Sequence, residues 1–390
     1  MRSGVRAETG QLKYQLLQQI EIATEKKRNI TMPRLISATL TRLRLPLVRP
    51  YRLSYRTFEE FEPFVVQLGD SDGREGFADA HISPGSSSET REGGWKAMAR
   101  MLGEGVGHPV EALKQKALSQ FVTSKGAMTA IASAVEVLER NALLDVQEPA
   151  RLPLLVPINS LEEKDIVPEV DRLLDQGFRT FKVKVGKDVE ADLARVQIIQ
   201  RAVAGRATLR LDANRAFDRD QGIAFASKLD PTSIELFEQP CESDQWEANA
   251  AVAAASTVPL MLDEPICTLD DIERAGTIRN VGFCKLKLKR FGGLERLAAG
   301  LGAVRENGME PVLGDGLGSE IHGWLEACVA RGLVRNAGEY NGFLKPHGRL
   351  FENALPFAEG VLTLPKGYWP VLSGDAFESA RLDRLTFPHS

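Results

Sequence analysis

Cysteine is scarce in this chain of 390 residues, which has only Cys241, Cys267, Cys284 and Cys328. They stand 26, 17 and 44 residues apart with no C-x-x-C pair. Such spacing argues against a structural zinc site, and four cysteines cannot staple a fold of this size. Reduced, mostly buried thiols in a cytoplasmic protein are expected. A surplus of either charge is missing too: 49 Lys and Arg face 53 Asp and Glu, a formal net charge of −4. With no basic run longer than Lys26-Lys27-Arg28, there is no general electrostatic case for nucleic-acid binding. Long apolar runs are absent as well. The best candidate, Ala250 to Leu262, is broken by Ser256, Thr257 and Pro259, well short of the roughly 18 residues a membrane helix needs. The stretch Met1 to Gly10 has no apolar core and does not read as a secretory signal.

What is present is ample material for a core. Hydrophobic residues make up 43% and charged residues 26%, which excludes wholesale disorder. At roughly 150 residues per domain the chain holds two to three units, one of which could be a barrel. Residues 1–33 stand apart as an extension, with Leu12, Leu16 and Ile20 at helical spacing before Pro33. From residue 34 to about 127 the texture is α+β. Ile36–Leu45 and Pro63–Leu68 alternate as strands, and Tyr51–Phe58 reads as a polar-aromatic loop between them. After the turn Asp70–Gly76 and the run Phe77–His81 come a loop at Ser83–Ser88 and a helix over about 89–102.

From about 128 to 355 the rhythm alternates. Strand-like runs at Leu154–Asn159, Phe178–Val185, Thr208–Asn214, Ile234–Gln239, Leu260–Glu264, Cys284–Leu288, Glu310–Leu313 and Gly338–Tyr340 are separated by helix-compatible segments. The intervening helices are expected at 161–176, 188–204, 218–229, 243–256, 268–279, 293–307 and 319–334. This repeat of near 25 residues predicts a parallel (β/α)8 barrel of α/β class. A doubly wound sheet is the rival, but no glycine-rich dinucleotide turn follows the first run. Residues from about 356 to 390 are expected to complete the N-terminal unit.

Active sites of barrels lie at the carboxyl ends of the strands. The second strand ends Lys182-Val-Lys184, with both lysines on one face. The third, fourth and fifth end in Asp212-Ala-Asn214, Glu238-Gln-Pro and Asp263-Glu264. Spacings of 26 and 25 residues put Asp212, Glu238 and Asp263 at one height on adjacent strands. Helix capping could explain any one of them, but not easily three in register. Crowded carboxylates repel, and a hard dication such as Mg2+ relieves the repulsion. The sixth strand, Cys284-Lys-Leu-Lys-Leu-Lys289-Arg290, lies across the barrel and brings three lysines, Lys285, Lys287 and Lys289, whose roles alternation alone leaves open. Lysines on opposite sides of a carboxylate substrate could remove an α-proton from one face and return it to the other.

These motifs, in this order and at these spacings, resemble the enolase superfamily and, within it, the muconate-lactonizing-enzyme (muconate cycloisomerase and mandelate racemase) family. The resemblance extends over about residues 36–370. It implies a modified (β/α)8 TIM barrel with an α+β N-terminal capping domain. It implies Mg2+ held by Asp212, Glu238 and Asp263, with Lys184 and Lys287 as the acid/base pair. Lys287 is selected because it lies five residues before Gly292-Gly293. Lys182, Asn214 and Glu264 fall at supporting positions. The specificity loops of the family match Tyr51–Thr57 and about His81–Glu89, so Tyr51, Arg52, Tyr55, Arg56 and His81 are candidate substrate contacts. Related enzymes often carry a carboxylate after the seventh strand, where this chain has Gly318. Asp315, also a candidate contact, and Glu320 lie nearby. His322 falls too late to match the histidine of the mandelate-racemase branch, Asp79 stands where a glutamate is usual, and Lys285 is unexpected.

The function so implied is Mg2+-dependent abstraction of the α-proton of a carboxylate substrate. The outcome would be racemisation or epimerisation of an acylated amino acid or dipeptide, or cycloisomerisation. A syn-dehydration through the same enolate is the alternative. A Schiff-base aldolase and a non-catalytic binding protein on the same scaffold are the readings of other classes. The partner expected is a small-molecule carboxylate, with no nucleic acid and no membrane, and the resemblance implies a homo-oligomer.

Overall fold

The computed structural model describes residues 32–52, 56–83, 89–314 and 316–388. The expected N-terminal helix, Tyr55 and Asp315 lie outside the described residues. The chain starts with β1 (Leu35–Leu43), β2 (Leu45–Arg52), β3 (Thr57–Phe61), β4 (Phe64–Asp70) and β5 (Glu75–Ala80). Three helices follow: α1 (Arg91–Gly105), α2 (Val110–Ser119) and α3 (Lys125–Leu138). Strands β2 and β3 form a hairpin in which Tyr51 pairs with Phe58, so the polar-aromatic stretch expected as loop is partly strand. Strands β1, β4 and β5 form an antiparallel sheet whose far edge is supplied by the last described strand, Arg381–Pro388. The C-terminus thus returns to the first unit.

Helix α3 is buried over its whole length from Gly126 to Leu138. Its sequence, rich in Ala and Val all round, suits a helix packed on two sides. One side rests on β4 and β5, and the other meets the short helix Leu288–Phe291 of the barrel. The boundary expected near residue 127 falls inside α3, which joins the two units as a shared wall.

After β6 (Ala150–Pro153) come the barrel strands β7 (Val156–Ile158), β8 (Thr180–Lys184), β9 (Thr208–Asp212), β10 (Ile234–Glu238), β11 (Leu260–Leu262), β12 (Val281–Leu286) and β13 (Glu310–Leu313), all parallel and in chain order. Among the described residues eight helices alternate with or follow them, from Glu163–Asp175 to Glu320–Leu333; all but the short helix Leu288–Phe291 lie within a few residues of an expected span. The eighth expected strand, Gly338–Tyr340, is not a strand. Its backbone still spans the gap, because Leu154 and Gly338 form a parallel bridge and Glu339 N–H donates to Leu313 O at 2.8 Å.

Alternation along the strands divides the residues into two sets. Phe181, Val183, Leu209, Leu211 and Phe237 face outward into the main hydrophobic core beneath the helices. Inward, Leu236, Met261 and Val312 form a separate apolar plug, with Phe283 against it. Inward charged residues, Lys182, Arg210, Asp212, Glu238 and Lys285, are buried and must therefore satisfy one another. Arg210, fully buried, donates to Glu235 at 2.8 Å and to the carbonyl of Ala337 at 2.8 Å, closing the lower end of the barrel.

Candidate active site

Strand register builds the upper layer directly. Lys184 is the lateral neighbour of Asp212, and Asp212 of Glu238, so the last residues of β8, β9 and β10 form one row. Asp263 follows β11 immediately. Lys184 Nζ donates to Asp212 Oδ2 at 2.6 Å and also to Asn214 Oδ1, a residue held at φ +45° just past the strand end. Across the barrel, Lys287 Nζ donates to Asp263 Oδ2 at 2.9 Å, while Arg290 holds the other oxygen, Oδ1, at 2.7 Å. Both lysines, all three carboxylates, Asn214 and Glu264 line one cavity of about 320 Å³.

A second layer lies below. Lys182 Nζ stands 2.8 Å from Asp212 Oδ2, 2.7 Å from Glu238 Oε2 and 3.0 Å from Glu339 Oε1. Lys285 Nζ donates to Glu238 Oε1 at 3.0 Å and to Glu339 Oε2. Lys285 is thus a structural cation under the site, paired with carboxylates. Burial opposes its charge and that of Lys182, yet the carboxylates outweigh burial and raise both pKa values, that of Lys182 far above the usual lysine range. Burial would likewise raise Glu339, but Lys182 and Lys285 hold it down at about 2. Glu238 is different: burial and the neighbouring Asp212 push its pKa up despite the two lysines. Glu264, beside Arg215, is pushed up to about 7 by burial and by Asp263.

The three carboxylates are an all-oxygen donor set on adjacent strand ends, which fits a hard dication. Glu238, raised by like charge, is the kind of group that a cation would relieve. As folded, each carboxylate is drawn to a lysine or arginine, and among the described residues no three His, Cys, Asp or Glu side chains form a preassembled metal cluster. Lys182 and Lys184 both hold Asp212 Oδ2, at 2.8 and 2.6 Å.

The motif Gly292-Gly293 has a backbone reason. Gly293 adopts φ +145°, ψ 171°, a region open essentially to glycine alone, and a Cβ there would sit 2.9 Å from Glu136 Oε2. Glu136, on α3, accepts the backbone N–H of Leu294 at 2.6 Å and so caps the helix that follows. Gly293→Ala is expected to lower stability by at least about 2 kcal/mol, read in urea unfolding as a lower midpoint at unchanged m-value.

The other expected residues divide. Tyr51 and His81 line the cavity, with His81 packed on Phe61 at 4.8 Å between ring centroids. Arg56 is not among the residues lining it: it is exposed, with its guanidinium over the Phe58 ring at 5.3 Å. The backbone of Arg52 belongs to β2. Glu320 is buried away from the cavity, where its carboxylate accepts the N–H groups of Leu350, Phe351 and Leu355. Gly318 has φ +105° and no room for a side chain, since a Cβ would lie 2.9 Å from His322 Cβ. His322 lies buried between Asp79 and Glu326, at 3.7 and 3.5 Å, where the capping sheet meets the barrel. Cys241, Cys284 and Cys328 are buried free thiols, the last two pushed up to about 12 by burial, and Cys267 is half-buried at the cavity. Sequence reasoning missed Glu339, Asn341, Lys345 and Lys125, which also line the cavity.

Comparison with known proteins agrees with this architecture. Residues 165–368 match the family described as enolase C-terminal domain-like. The chain belongs to the enolase superfamily, in its muconate-lactonizing-enzyme and mandelate-racemase family. It is 26% identical over 296 residues to the L-Ala-D/L-Glu epimerase of Bacillus subtilis, covering 72% of this chain and 79% of that one. It is 26% identical over 271 residues to the o-succinylbenzoate synthase of Geobacillus stearothermophilus, covering 65% and 70%. The crystal structure of the N-succinyl Arg/Lys racemase of Bacillus cereus shares the fold, with a TM-score of 0.81 at 18% identity over 90% of this chain and 99% of that one. Among the described residues no helix is long and apolar enough to cross a membrane.

Proposed function

We propose that this chain abstracts the α-proton of a small carboxylate substrate and returns it on the opposite face, a racemisation or epimerisation of an N-acylated amino acid or a dipeptide. The observation that carries the reading is the placement of Lys184 and Lys287. They sit at strand ends on opposite sides of one cavity, each against a carboxylate of the row Asp212, Glu238, Asp263. These three carboxylates would hold Mg2+. When bound, the ion supplies Lewis-acid stabilisation of the negative charge that develops on the substrate carboxylate. Lys184 and Lys287 then exchange the roles of base and acid according to which enantiomer is bound. Asn214 orients Lys184, and Arg290 orients Asp263. The reading also places a homo-oligomeric enzyme in the cytoplasm, with no nucleic-acid or membrane partner.

The relationship to an o-succinylbenzoate synthase favours one second reading, a syn-dehydration begun by the same proton abstraction. One experiment separates them. Carboxylate libraries incubated with enzyme and Mg2+ in D2O are analysed by mass spectrometry. Gain of deuterium without loss of mass as water supports the isomerase, and loss of 18 Da from the substrate supports the dehydratase. EDTA is expected to abolish exchange, and added Mg2+ to restore it. Activity that survives EDTA together with a borohydride-trapped lysine adduct sinks both readings in favour of Schiff-base chemistry.

A further inference from the structure

Lys184 and Lys287 are carried by different kinds of backbone, a difference that matters if they are the acid/base pair, and this step rests on that reading. Lys184 ends β8, paired laterally with Asp212, and Arg195 donates to its carbonyl. Lys287 stands beyond β12, just before the four-residue helix Leu288–Phe291, and Gly292 and Gly293 follow. Those glycines, at φ +85° and +145°, form a joint that no side chain of its own stiffens. Arg290 rides on the same segment, so both cations that hold the oxygens of Asp263 depend on how it is placed.

Contacts from outside pin the segment. Glu326 Oε1 accepts the N–H of Leu288 at 3.1 Å, and Thr129 Oγ1 donates to the carbonyl of Lys289 at 3.4 Å. Beyond the glycine joint, Glu136 Oε2 accepts the N–H of Leu294 at 2.6 Å, and Oε1 that of Glu295 at 3.4 Å. Thr129 and Glu136 are seven residues apart on α3 and so share one face of it. Glu136 is buried, and its charge is well placed at a helix N-terminus. Lys114 Nζ, from α2, stands 3.4 Å from Glu136 Oε1 and 3.1 Å from Glu295 Oε2, while Glu295 Oε1 accepts from Asn141 at 2.8 Å. Glu139, at the end of α3, adds its charge beside Lys114, whereas Lys289 and Arg290 of the short helix line the catalytic cavity. Burial pushes Glu136 up to about 7, against the pull of Lys114.

Proton transfer is sensitive to such placement, since a misplacement of about 1 Å can cost roughly 100-fold in rate. We propose that Glu136 is a positioning residue for Lys287: from the wall helix α3 it holds the far side of the glycine joint, and with it one face of the acid/base pair. None of these contacts reaches Lys184, so the other face does not depend on them. The carboxylate serves better than a neutral cap because it accepts two backbone N–H groups at once. When protonated it keeps one carbonyl acceptor and gains a donor that faces other donors.

The test is α-hydrogen exchange in D2O with the Mg2+-loaded enzyme, measured separately on the D and L forms of the N-acylated amino acid or dipeptide that exchanges fastest. The enantiomer served by Lys287 is the one whose exchange Lys287→Ala loses. Glu136→Gln keeps the shape of the side chain and removes its charge. It is expected to lower kcat about ten-fold for that enantiomer, with KM within about two-fold, and to leave exchange through Lys184 within about two-fold. Equal losses from both enantiomers, or no loss, overturns the positioning role. Should Glu136→Gln not fold, Lys114→Met decides, because it leaves Glu136 in place and takes away the cation that holds its proton affinity down. Relative to the unaltered enzyme at the same pH, Lys114→Met is expected to lose Lys287-side exchange by about five-fold at about pH 7 and to recover it by about pH 9, where the carboxylate is charged again. No loss at about pH 7, a loss that does not recover, or a loss shared by both enantiomers overturns the role and leaves proton abstraction standing. An unaltered enzyme that exchanges neither enantiomer of any compound overturns both.

Discussion

Lys287→Ala and Lys184→Ala are each expected to lower racemisation at least about a thousand-fold while leaving the folded state intact. A positioned general base contributes roughly 10²- to 10⁴-fold, and a racemase needs both members of the pair. The geometry favours these two of the five lysines on β8 and the β12 segment as the proposed acid and base. The side chain of Lys182 is 8% exposed and that of Lys285 2%, each held cationic among carboxylates. The side chain of Lys184 is 39% exposed and that of Lys287 14%, so these ammonium groups can reach a bound molecule. The single variants should also differ from each other. Each retains one lysine, so each is expected to keep α-hydrogen exchange from one enantiomer and lose it from the other. Deuterium washout measured separately on D and L substrates reads this directly. Loss of exchange from the same enantiomer in both variants contradicts the two-sided arrangement.

Legibility followed the physics of alternation. Strands such as Thr208–Asp212 show their inward and outward sets in the sequence, because Leu209 and Leu211 face the helices while Arg210 and Asp212 face the axis. The row Asp212, Glu238, Asp263 could be anticipated because equal spacing on adjacent parallel strands becomes equal height. Gly338–Tyr340 could not be recognised as a bridge, since three residues with one glycine carry no period to distinguish a strand from an extended connection. Glu339 was hidden for that reason, although the unexplained Lys285 signalled that a buried partner existed. Lys345 lies just past a 3₁₀ turn, in a loop brought to the cavity by tertiary packing against the capping hairpin. Arg56 shows the converse: a polar loop matched by family position does not say which side chains line the cavity, and this one stands exposed over the Phe58 ring.

The largest effect on stability is expected from the deep layer. Lys182 and Lys285 there meet Asp212, Glu238 and Glu339, all buried, and Lys184 of the upper layer adds a second cation to Asp212. Lys285→Met keeps an unbranched apolar stem but removes the ammonium, leaving Glu238 and Glu339 sharing Lys182 alone. Breaking a buried pair from one side costs about 3–5 kcal/mol, because the surviving charge is left uncompensated. The single variant should therefore unfold at a clearly lower denaturant concentration. Lys285→Met/Glu339→Gln removes one charge of each sign, and Lys182 keeps Asp212 and Glu238 as partners. That double variant is expected to recover at least about 1 kcal/mol relative to Lys285→Met, a coupling within the range of contacting residues. A double variant no more stable than the single one would mean that Glu339 gains nothing from Lys285. The two would then be neighbours held in place by the barrel wall, and charge balance would not be what keeps this interior folded.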